Sequence, residues 1–246
     1  MAGRIRIGIG GWVYEPWRGT FYPQGLRQKD ELAYVGQHLT ATEINATYYS
    51  TQKPATFAGW ARTVPEGFQF AVKASRYCTN RKRLAEAGDS IAKFVNQGLV
   101  ELGDRLGPIL WQFMPTKQFD PDDFAAFLKM LPASVNGVPL RHALEVRHES
   151  FDDPAFLAMA QAAGAAVVLA DHEDYPRIEG RDVGFAYGRL MRARADEPTG
   201  YAAPAIADWA KTARQMADSG DMFVFFISGA KERNPAAAQA LIAALE

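Results

Sequence analysis

Eight apolar runs of strand length recur along this chain of 246 residues, and most of them are followed by a segment with helical spacing. The eight runs are residues 5–10, 41–44, 68–72, 108–113, 143–146, 165–170, 183–187 and 222–227. The sixth run is apolar throughout, which is typical of a strand that is buried on both faces. Strands that alternate with helices along a chain predict a parallel sheet.

The segments between these runs show the periodicity of amphipathic helices. We predict helices over residues 30–38, 54–63, 89–105, 121–131, 154–163, 203–219 and 235–245. In the third of these, one face carries Ile91, Phe94, Val95, Leu99 and Leu102, so the whole segment is expected to form one long helix. Residues 171–182 are rich in turn-forming residues and show no helical pattern. An irregular crossover is therefore expected between strands six and seven.

Eight strands, most of them followed by a helix, predict an α/β fold in which the sheet closes on itself. The expected architecture is a single (β/α)8 TIM-type barrel domain over residues 1–246, because such barrels typically have about 250 residues. An open doubly wound sheet is the alternative, although it usually needs fewer strands and binds its ligand at one switch point. Two smaller domains would also fit the length.

Composition restricts the class of protein further. Hydrophobic residues make up 48% and charged residues 22% of the chain, which excludes a disordered protein. The net charge of −1 gives no bulk basicity for non-specific binding of nucleic acid or membranes. Cys78 is the only cysteine, so a reducing compartment is expected. No apolar stretch is long enough for a membrane span, and the first residues do not resemble a signal peptide. We expect a cytoplasmic protein.

A polar or aromatic side chain stands at the end of every predicted strand. In a TIM barrel the carboxyl ends of the strands lie on one face, where the active site is found. We therefore predict a shared site, with solvated loop polarity as the alternative. The residues at these ends are Trp12, Tyr14, Glu43, Asn45, Lys73, Gln112, Glu145, Arg147, His148, Asp171, His172, Arg189 and Ser228.

Carboxylates and a histidine are the candidate catalytic groups. Glu43 and Glu145 could serve as general acid and general base if their environments separate their pKa values, with His148 as a proton shuttle. Alternatively, each glutamate forms an ion pair with Arg147 or Lys73 and braces the barrel. Alternation along the strand puts Glu145 and Arg147 on the same side.

The other residues at the strand ends are candidate substrate-binding groups. Cationic side chains would orient an anion, Asn45 and Gln112 would hold hydroxyl or carbonyl groups, and aromatic rings would stack on the ligand or cap the barrel. The predicted substrate-binding residues are Trp12, Tyr14, Asn45, Lys73, Gln112, Arg147, Asp171, Arg189 and Ser228.

No cofactor is predicted, but one set of residues could bind a divalent metal ion. Glutamate, aspartate and histidine can together ligate such an ion, and the chain has no short ligand motif that would strengthen this interpretation. The set comprises Glu43, Glu145, His148, Asp171 and His172.

The last two loops are basic. Arg189, Arg192 and Arg194 follow the predicted strand seven, and Lys231 and Arg233 follow strand eight. TIM barrels often bind phosphate at this position, but a solvated basic surface is the equal alternative.

Five ordered motifs resemble a known family. They are Gly8 to Pro23, Glu43 to Tyr49, Phe70 to Lys73, Gln112 to Pro115 and Glu145 to Phe151. They are similar to motifs of the domain of unknown function 72 (YecE-like) family, and the resemblance implies a TIM-type barrel but no particular reaction.

Some positions differ from the pattern of that family and indicate a divergent branch. Asn80 stands where Thr-His is usual, and Phe151 stands in place of a tryptophan. Met191-Arg192 and Ile227-Ser228 replace the usual His-Gly and Asn-Asn pairs.

Three functional hypotheses follow. The first is an enzyme that uses carboxylate acid–base chemistry on a polar, anionic small molecule, such as a phosphorylated sugar or a nucleotide-like compound. The second is a metal-dependent hydrolase or isomerase. The third is a non-catalytic protein that binds nucleic acid or a phosphorylated partner through the basic loops, with a steep salt dependence. The nearly neutral overall charge counts against binding of nucleic acid.

Overall fold

The computed structural model of the protein describes residues 3–246 and contains one large parallel sheet. We number its strands in chain order, and β6 consists of two short pieces. The strands are β1 (Ile5–Gly10), β2 (Ala41–Ile44), β3 (Gln69–Lys73), β4 (Leu106–Gln112), β5 (His142–Glu145), β6 (Ala165–Val167 and Leu169–Asp171), β7 (Phe185–Leu190) and β8 (Asp221–Phe226).

Strand β6 closes the sheet into a barrel. Its first piece pairs with β5 and its second piece pairs with β7, both in parallel. Val168 lies between the two pieces, and its backbone N–H donates to the carbonyl oxygen of Leu144 at 2.9 Å. Strand β1 pairs with both β2 and β8, so every strand has a neighbour on each side. The predicted TIM-type barrel is confirmed.

Helices surround the strands, and five of them have proline in their first turn, where its missing N–H has no partner to lose. No helix within residues 3–246 is long and apolar enough to cross a membrane. The helices are α1 (Glu31–His38), α2 (Ala46–Tyr49), α3 (Pro54–Thr63), α4 (Arg76–Thr79), α5 (Gly88–Val95), α6 (Pro121–Lys129), α7 (Pro154–Ala162), α8 (Ala203–Ala217) and α9 (Asn234–Leu245).

The segment between β6 and β7 is irregular, as predicted, but two other predictions were wrong. The expected helix over residues 89–105 ends at Val95, and Leu99–Arg105 forms a separate 3-10 segment. Gly98 separates them with a left-handed φ of 116°, because its backbone lies so close to Pro54 that a Cβ would be 2.7 Å from the proline Cα. Strand β7 continues to Leu190, so Arg189 lies inside a strand and not in the following loop.

A small hairpin was not predicted. Ser134–Val135 pairs in antiparallel fashion with Val138–Pro139. Asn136 and Gly137 form its turn with φ values of 49° and 80°. The Asn-Gly pair is a strong local signal for such a hairpin.

The barrel interior is filled in layers. Small residues from β2, β3, β5 and β6, among them Ala41, Ala71 and Ala143, pack with the large rings of β7 and β8. At the amino ends of the strands, Asp221 accepts from Arg6 Nη1 at 2.9 Å and from Arg141 Nη1 at 3.2 Å. These two layers fill the middle and the amino-terminal end of the barrel. Further polar side chains meet at the other end, where the strands have their carboxyl ends.

Candidate active site at the barrel mouth

We use the term barrel mouth for the carboxyl ends of the eight strands and the loops that follow them. At its centre lies the guanidinium group of Arg189 from β7, which contacts two carboxylates from other strands. Its Nη2 lies 3.0 Å from Glu43 Oε1 and its Nε lies 3.1 Å from Glu43 Oε2. Its Nη1 contacts Glu145 Oε2. Both glutamates are fully buried and Arg189 is nearly so. One cation therefore joins β2, β5 and β7.

Neutral side chains occupy the remaining positions around these carboxylates. The hydroxyl of Tyr187, two residues before Arg189 on the same face of β7, donates to Glu43 Oε2 at 2.8 Å. Gln112 of β4 stands in register with Glu145, and its Nε2 donates to Glu145 Oε2 at 2.9 Å. We call these residues, together with Arg147, the mouth network: Glu43, Gln112, Glu145, Arg147, Tyr187 and Arg189.

Arg147 connects the network with the crossover between β6 and β7. Its Nε and Nη2 each lie 2.7 Å from Glu145 Oε1. Its Nη1 donates to the hydroxyl of Tyr175 at 3.2 Å, and the guanidinium lies 4.5 Å from the Tyr175 ring centroid. The Tyr175 ring in turn stacks on His172 at 3.8 Å. Glu145 and Arg147 thus face the same side, as alternation predicts.

Lys73, at the end of β3, lies beside the network without joining it. Its Nζ lies 4.3 Å from the centroid of the Tyr48 ring. Within residues 3–246, no carboxylate oxygen lies within the 4.0 Å that defines an ion pair with this amine. Burial, followed by the nearby Arg189, lowers the pKa of Lys73 to about 8, although Glu43 and Glu145 act in the opposite direction.

The charges of the network hold one another in their ionised forms. Burial alone would raise the pKa of Glu145, but Arg189, Arg147 and the hydrogen bond from Gln112 outweigh it and lower the pKa to about 2. Burial also disfavours the charged guanidinium, yet the two carboxylates raise the pKa of Arg189 above its ordinary value. Burial and Glu43 raise the pKa of Tyr187 well above 10.0, so its hydroxyl stays a donor.

Residues 6–246 match the family that is described as Protein of unknown function DUF72. The chain belongs to the DUF72 family. UPF0759 protein YunF of Bacillus subtilis is 27% identical over 157 residues, which cover 62% of this chain and 54% of YunF. The matched region thus spans about half the length of that curated relative.

Solved structures of DUF72 proteins share the fold. A DUF72 family protein from Enterococcus faecalis superposes with a TM-score of 0.76 and 19% identity, covering 98% of this chain and 95% of that chain. A DUF72 family protein from Thermotoga maritima gives a TM-score of 0.76 and 21% identity, with 97% of each chain covered. At such identities the likeness establishes the barrel and nothing about the reaction.

The five residues suggested as metal ligands do not converge in this DUF72 protein. His148 Nδ1 accepts from the backbone N–H of Ser150 at 3.1 Å, which caps the short 3-10 helix Glu149–Phe151. His172 Nδ1 accepts from the backbone N–H of Asp174 at 3.0 Å. Asp171 accepts from the Tyr201 hydroxyl at 3.0 Å. Within residues 3–246, no group of three or more histidine, cysteine or acidic side chains could hold a metal ion.

Besides Lys73 and Asp171, four predicted substrate-binding residues lie outside the mouth network. Trp12 packs edge-on against Trp60, with ring centroids 5.2 Å apart, beside helix α3. The Tyr14 ring lies under the Lys231 amine at 4.3 Å. Asn45 directly precedes α2, and Ser228 is exposed with a φ of 64°. Aromatic residues of the first loop thus pack onto the barrel more than they line its centre.

The arginines of the loop after β7 are paired with acidic neighbours, whereas Lys231 and Arg233 of the loop after β8 form no ion pair within residues 3–246. Arg192 lies 3.8 Å from both Asp171 and Glu173, and Arg194 pairs with Asp196. Lys231 packs on aromatic rings. Little unpaired positive charge therefore remains in the loop after β7.

Three tyrosines of the mouth were missed by sequence reasoning. Tyr187 and Tyr175 hydrogen-bond to the network, and Tyr48 faces the Lys73 amine. Strand alternation could have identified Tyr187, since it lies two residues before Arg189. Tyr175 belongs to the irregular crossover, for which no periodicity exists to indicate a direction.

Proposed function

We propose that the barrel mouth is the active site of an enzyme that carries out acid–base chemistry on a small molecule with an anionic group, such as a phosphorylated sugar or a nucleotide-like compound. One observation supports this most directly. Three cations, Lys73, Arg147 and Arg189, surround only two carboxylates, and the Lys73 amine lacks a carboxylate partner. An anion placed beside Lys73 would balance the excess charge.

The carboxylates are assigned a positioning role in this proposal. All four oxygens of Glu43 and Glu145 already accept hydrogen bonds from the mouth network. A carboxylate whose pKa is lowered to about 2, like that of Glu145, is a weak base near neutral pH. Glu43 and Glu145 would instead orient the arginines, while His148 keeps its hydrogen bond with Ser150.

Lys73 is the better candidate for proton transfer. Efficient general acid–base groups have a pKa near the working pH, and the pKa of Lys73 is lowered to about 8. Protonated, the amine would attract the anion. Deprotonated, it would accept a proton from a neighbouring carbon or hydroxyl group. Metal-dependent chemistry has less support, because the guanidinium of Arg189 lies between the two carboxylates.

Isothermal titration with inorganic phosphate and with ribose 5-phosphate tests the anion site. Lys73→Met should weaken binding by about tenfold or more, equivalent to roughly 1.4 kcal/mol. Binding to the wild-type protein should also weaken as the pH rises through about 8, because the amine loses its charge there. Lys211→Met, on the exposed surface of α8, is the matched control and should bind like the wild type.

Turnover of sugar phosphates, followed by phosphorus NMR, tests the catalytic step. We expect Lys73→Met to abolish any turnover found, and Lys73→Arg to retain binding without turnover. If Lys73→Met retains turnover and Glu145→Gln abolishes it, proton transfer belongs to the carboxylates. If neither phosphate compound binds, or Lys73→Met binds both like the wild type, the anion site is refuted.

A further inference from the structure

A cavity of about 360 Å³ opens on the rim of the barrel, between the loops after β2 and β3 and helix α5. Its lining is rich in hydroxyl groups: Thr47, Ser50, Thr51, Ser75 and Ser90 contribute aliphatic hydroxyls. Two tyrosines, Tyr49 and Tyr77, also line it. The mouth network contributes none of these residues, so the cavity is distinct from the anion site.

The two tyrosines are unusual for their exposure. Tyr49 is 66% exposed and Tyr77 is 59% exposed, and they lie in two different short helices, α2 and α4. A single exposed aromatic side chain needs no explanation, but two that line one cavity form an apolar surface that a ligand could cover. Tyrosine suits this task because its ring is apolar and rigid while its hydroxyl remains available for hydrogen bonds.

The charges of the lining residues restrict the class of ligand that the cavity can bind. Lys93 is the one charged side chain among the residues that line the cavity, and no carboxylate is among them. A metal ion or an organic cation would therefore find no compensating charge. Hydroxyl groups both donate and accept, so they complement a neutral molecule that itself carries many hydroxyls. Gln97 adds an amide, although its Oε1 already accepts from the backbone N–H of Gln52 at 2.9 Å.

We propose that this cavity binds a sugar ring. The C–H face of a pyranose would pack on Tyr49 or Tyr77, and its hydroxyls would meet those of Ser50, Thr51, Ser75 and Ser90. The volume lies within the range of small-molecule sites, about 300–1,000 Å³. The inference goes beyond the proposed function and stands without it, because a neutral sugar needs no anion site.

Thr47 connects the cavity with the strand end that carries Lys73. It lines the cavity, and its Oγ1 donates to the backbone carbonyl of Lys73 at 2.7 Å and to that of Ile44 at 3.2 Å. A sugar bound here would therefore lie on the same side of the barrel as the Lys73 amine. This arrangement suits a substrate or a product that carries a glycosyl group.

Saturation-transfer NMR with glucose, galactose and N-acetylglucosamine tests the proposal directly. The wild-type protein should transfer saturation to the ring protons of at least one sugar, with a Kd on the order of 1 mM. Tyr49→Ala and Tyr77→Ala should each reduce the transfer about fivefold or more. Both side chains are exposed, so neither variant is expected to unfold. Met114→Ala is the matched control, since Met114 is an exposed apolar residue of the loop after β4 and does not line the cavity.

Two outcomes would overturn the sugar site. One is the absence of transfer to all three sugars at about tenfold the expected Kd. The other is transfer that both tyrosine variants retain in full. Lys73→Met separates this proposal from the anion site, because it should leave the transfer to neutral sugars unchanged even if phosphate binding is lost.

Discussion

Among the side chains at the barrel mouth, Arg189 contacts the carboxylates of two other strands. Sequence reasoning found the residue but assigned it to the loop after strand seven, because the apolar run ended at Tyr187. In the structure Gly188 is part of β7, where a Cβ would lie 3.2 Å from the end of Met222. Alternation then turns Arg189 into the barrel, between Glu43 and Glu145.

Replacing Arg189 should destabilise the whole protein. Arg189→Met leaves two buried carboxylates without their shared cation, and loss of one partner from a buried ion pair costs about 3–5 kcal/mol. Urea unfolding, followed by tryptophan fluorescence, measures the free energy of unfolding. Arg194→Met removes an exposed ion pair with Asp196 and should leave the free energy of unfolding nearly unchanged. Equal unfolding midpoints for the two variants would contradict the bracing role of Arg189.

At the scale of elements, local signals predicted bounds well where proline opens a helix. Helix α3 has the predicted bounds, and α6 and α7 begin at the predicted prolines. Helix α5 was predicted too long because the apolar face continues beyond its end, through Leu99 and Leu102. Periodicity records which side is buried, but it cannot reveal that the backbone must bend to pass Pro54.

Alanine substitutions at two glycines, Gly98 and Gly59, test whether the close approach to Pro54 requires glycine at position 98. At Gly98, alanine would meet the Pro54 Cα at 2.7 Å in a left-handed conformation, so Gly98→Ala should cost about 1–3 kcal/mol. Gly59 lies within α3 with open space where a Cβ would stand, so Gly59→Ala should stabilise by about 0.5–1 kcal/mol. Thermal unfolding of both variants gives the comparison. A neutral Gly98→Ala would mean that the backbone can move away from Pro54.

For the candidate site too, local sequence signals predicted which residues are present but not which distant residues they contact. Strand ends and alternation predicted Glu43, Lys73, Gln112, Glu145 and Arg147 at a common mouth. Their partners could not be predicted, because pairing between β2 and β7 joins positions 146 residues apart. Histidines at strand ends suggested chemistry, whereas short-range hydrogen bonds tie His148 and His172 to nearby backbone N–H groups.

At the scale of the whole molecule, the barrel has an ionic layer at each end and an apolar filling between them. The lower layer consists of Asp221, Arg6 and Arg141, with Arg141 lying 4.9 Å from the Phe223 ring centroid. Asp221 also accepts from the backbone N–H of Arg4 at 3.0 Å. Burial raises the pKa of Asp221, but Arg4, Arg6 and Arg141 outweigh this effect and hold it below 3.8.

Removing the negative charge of the lower layer should loosen the barrel. Asp221→Asn weakens charged hydrogen bonds to two arginines, which we expect to cost about 2 kcal/mol. Because the folded-state pKa is depressed, the contribution of Asp221 is present above about pH 4 and is lost as the pH falls below it. Urea unfolding at neutral and acidic pH should therefore show a difference between Asp221→Asn and wild type that shrinks in acid. Asp208→Asn, on the exposed face of α8, should leave the unfolding midpoint unchanged.

The packed interior of the barrel also limits the routes by which a molecule can enter and leave. The aromatic rings of Phe185 and Phe223, with the arginines beside them, close the lower end of the barrel. A molecule that reaches Lys73 must therefore enter through the barrel mouth and leave through it. In the proposed enzyme, a reaction product that stays at Lys73 would exclude the next substrate molecule, so product inhibition should be competitive.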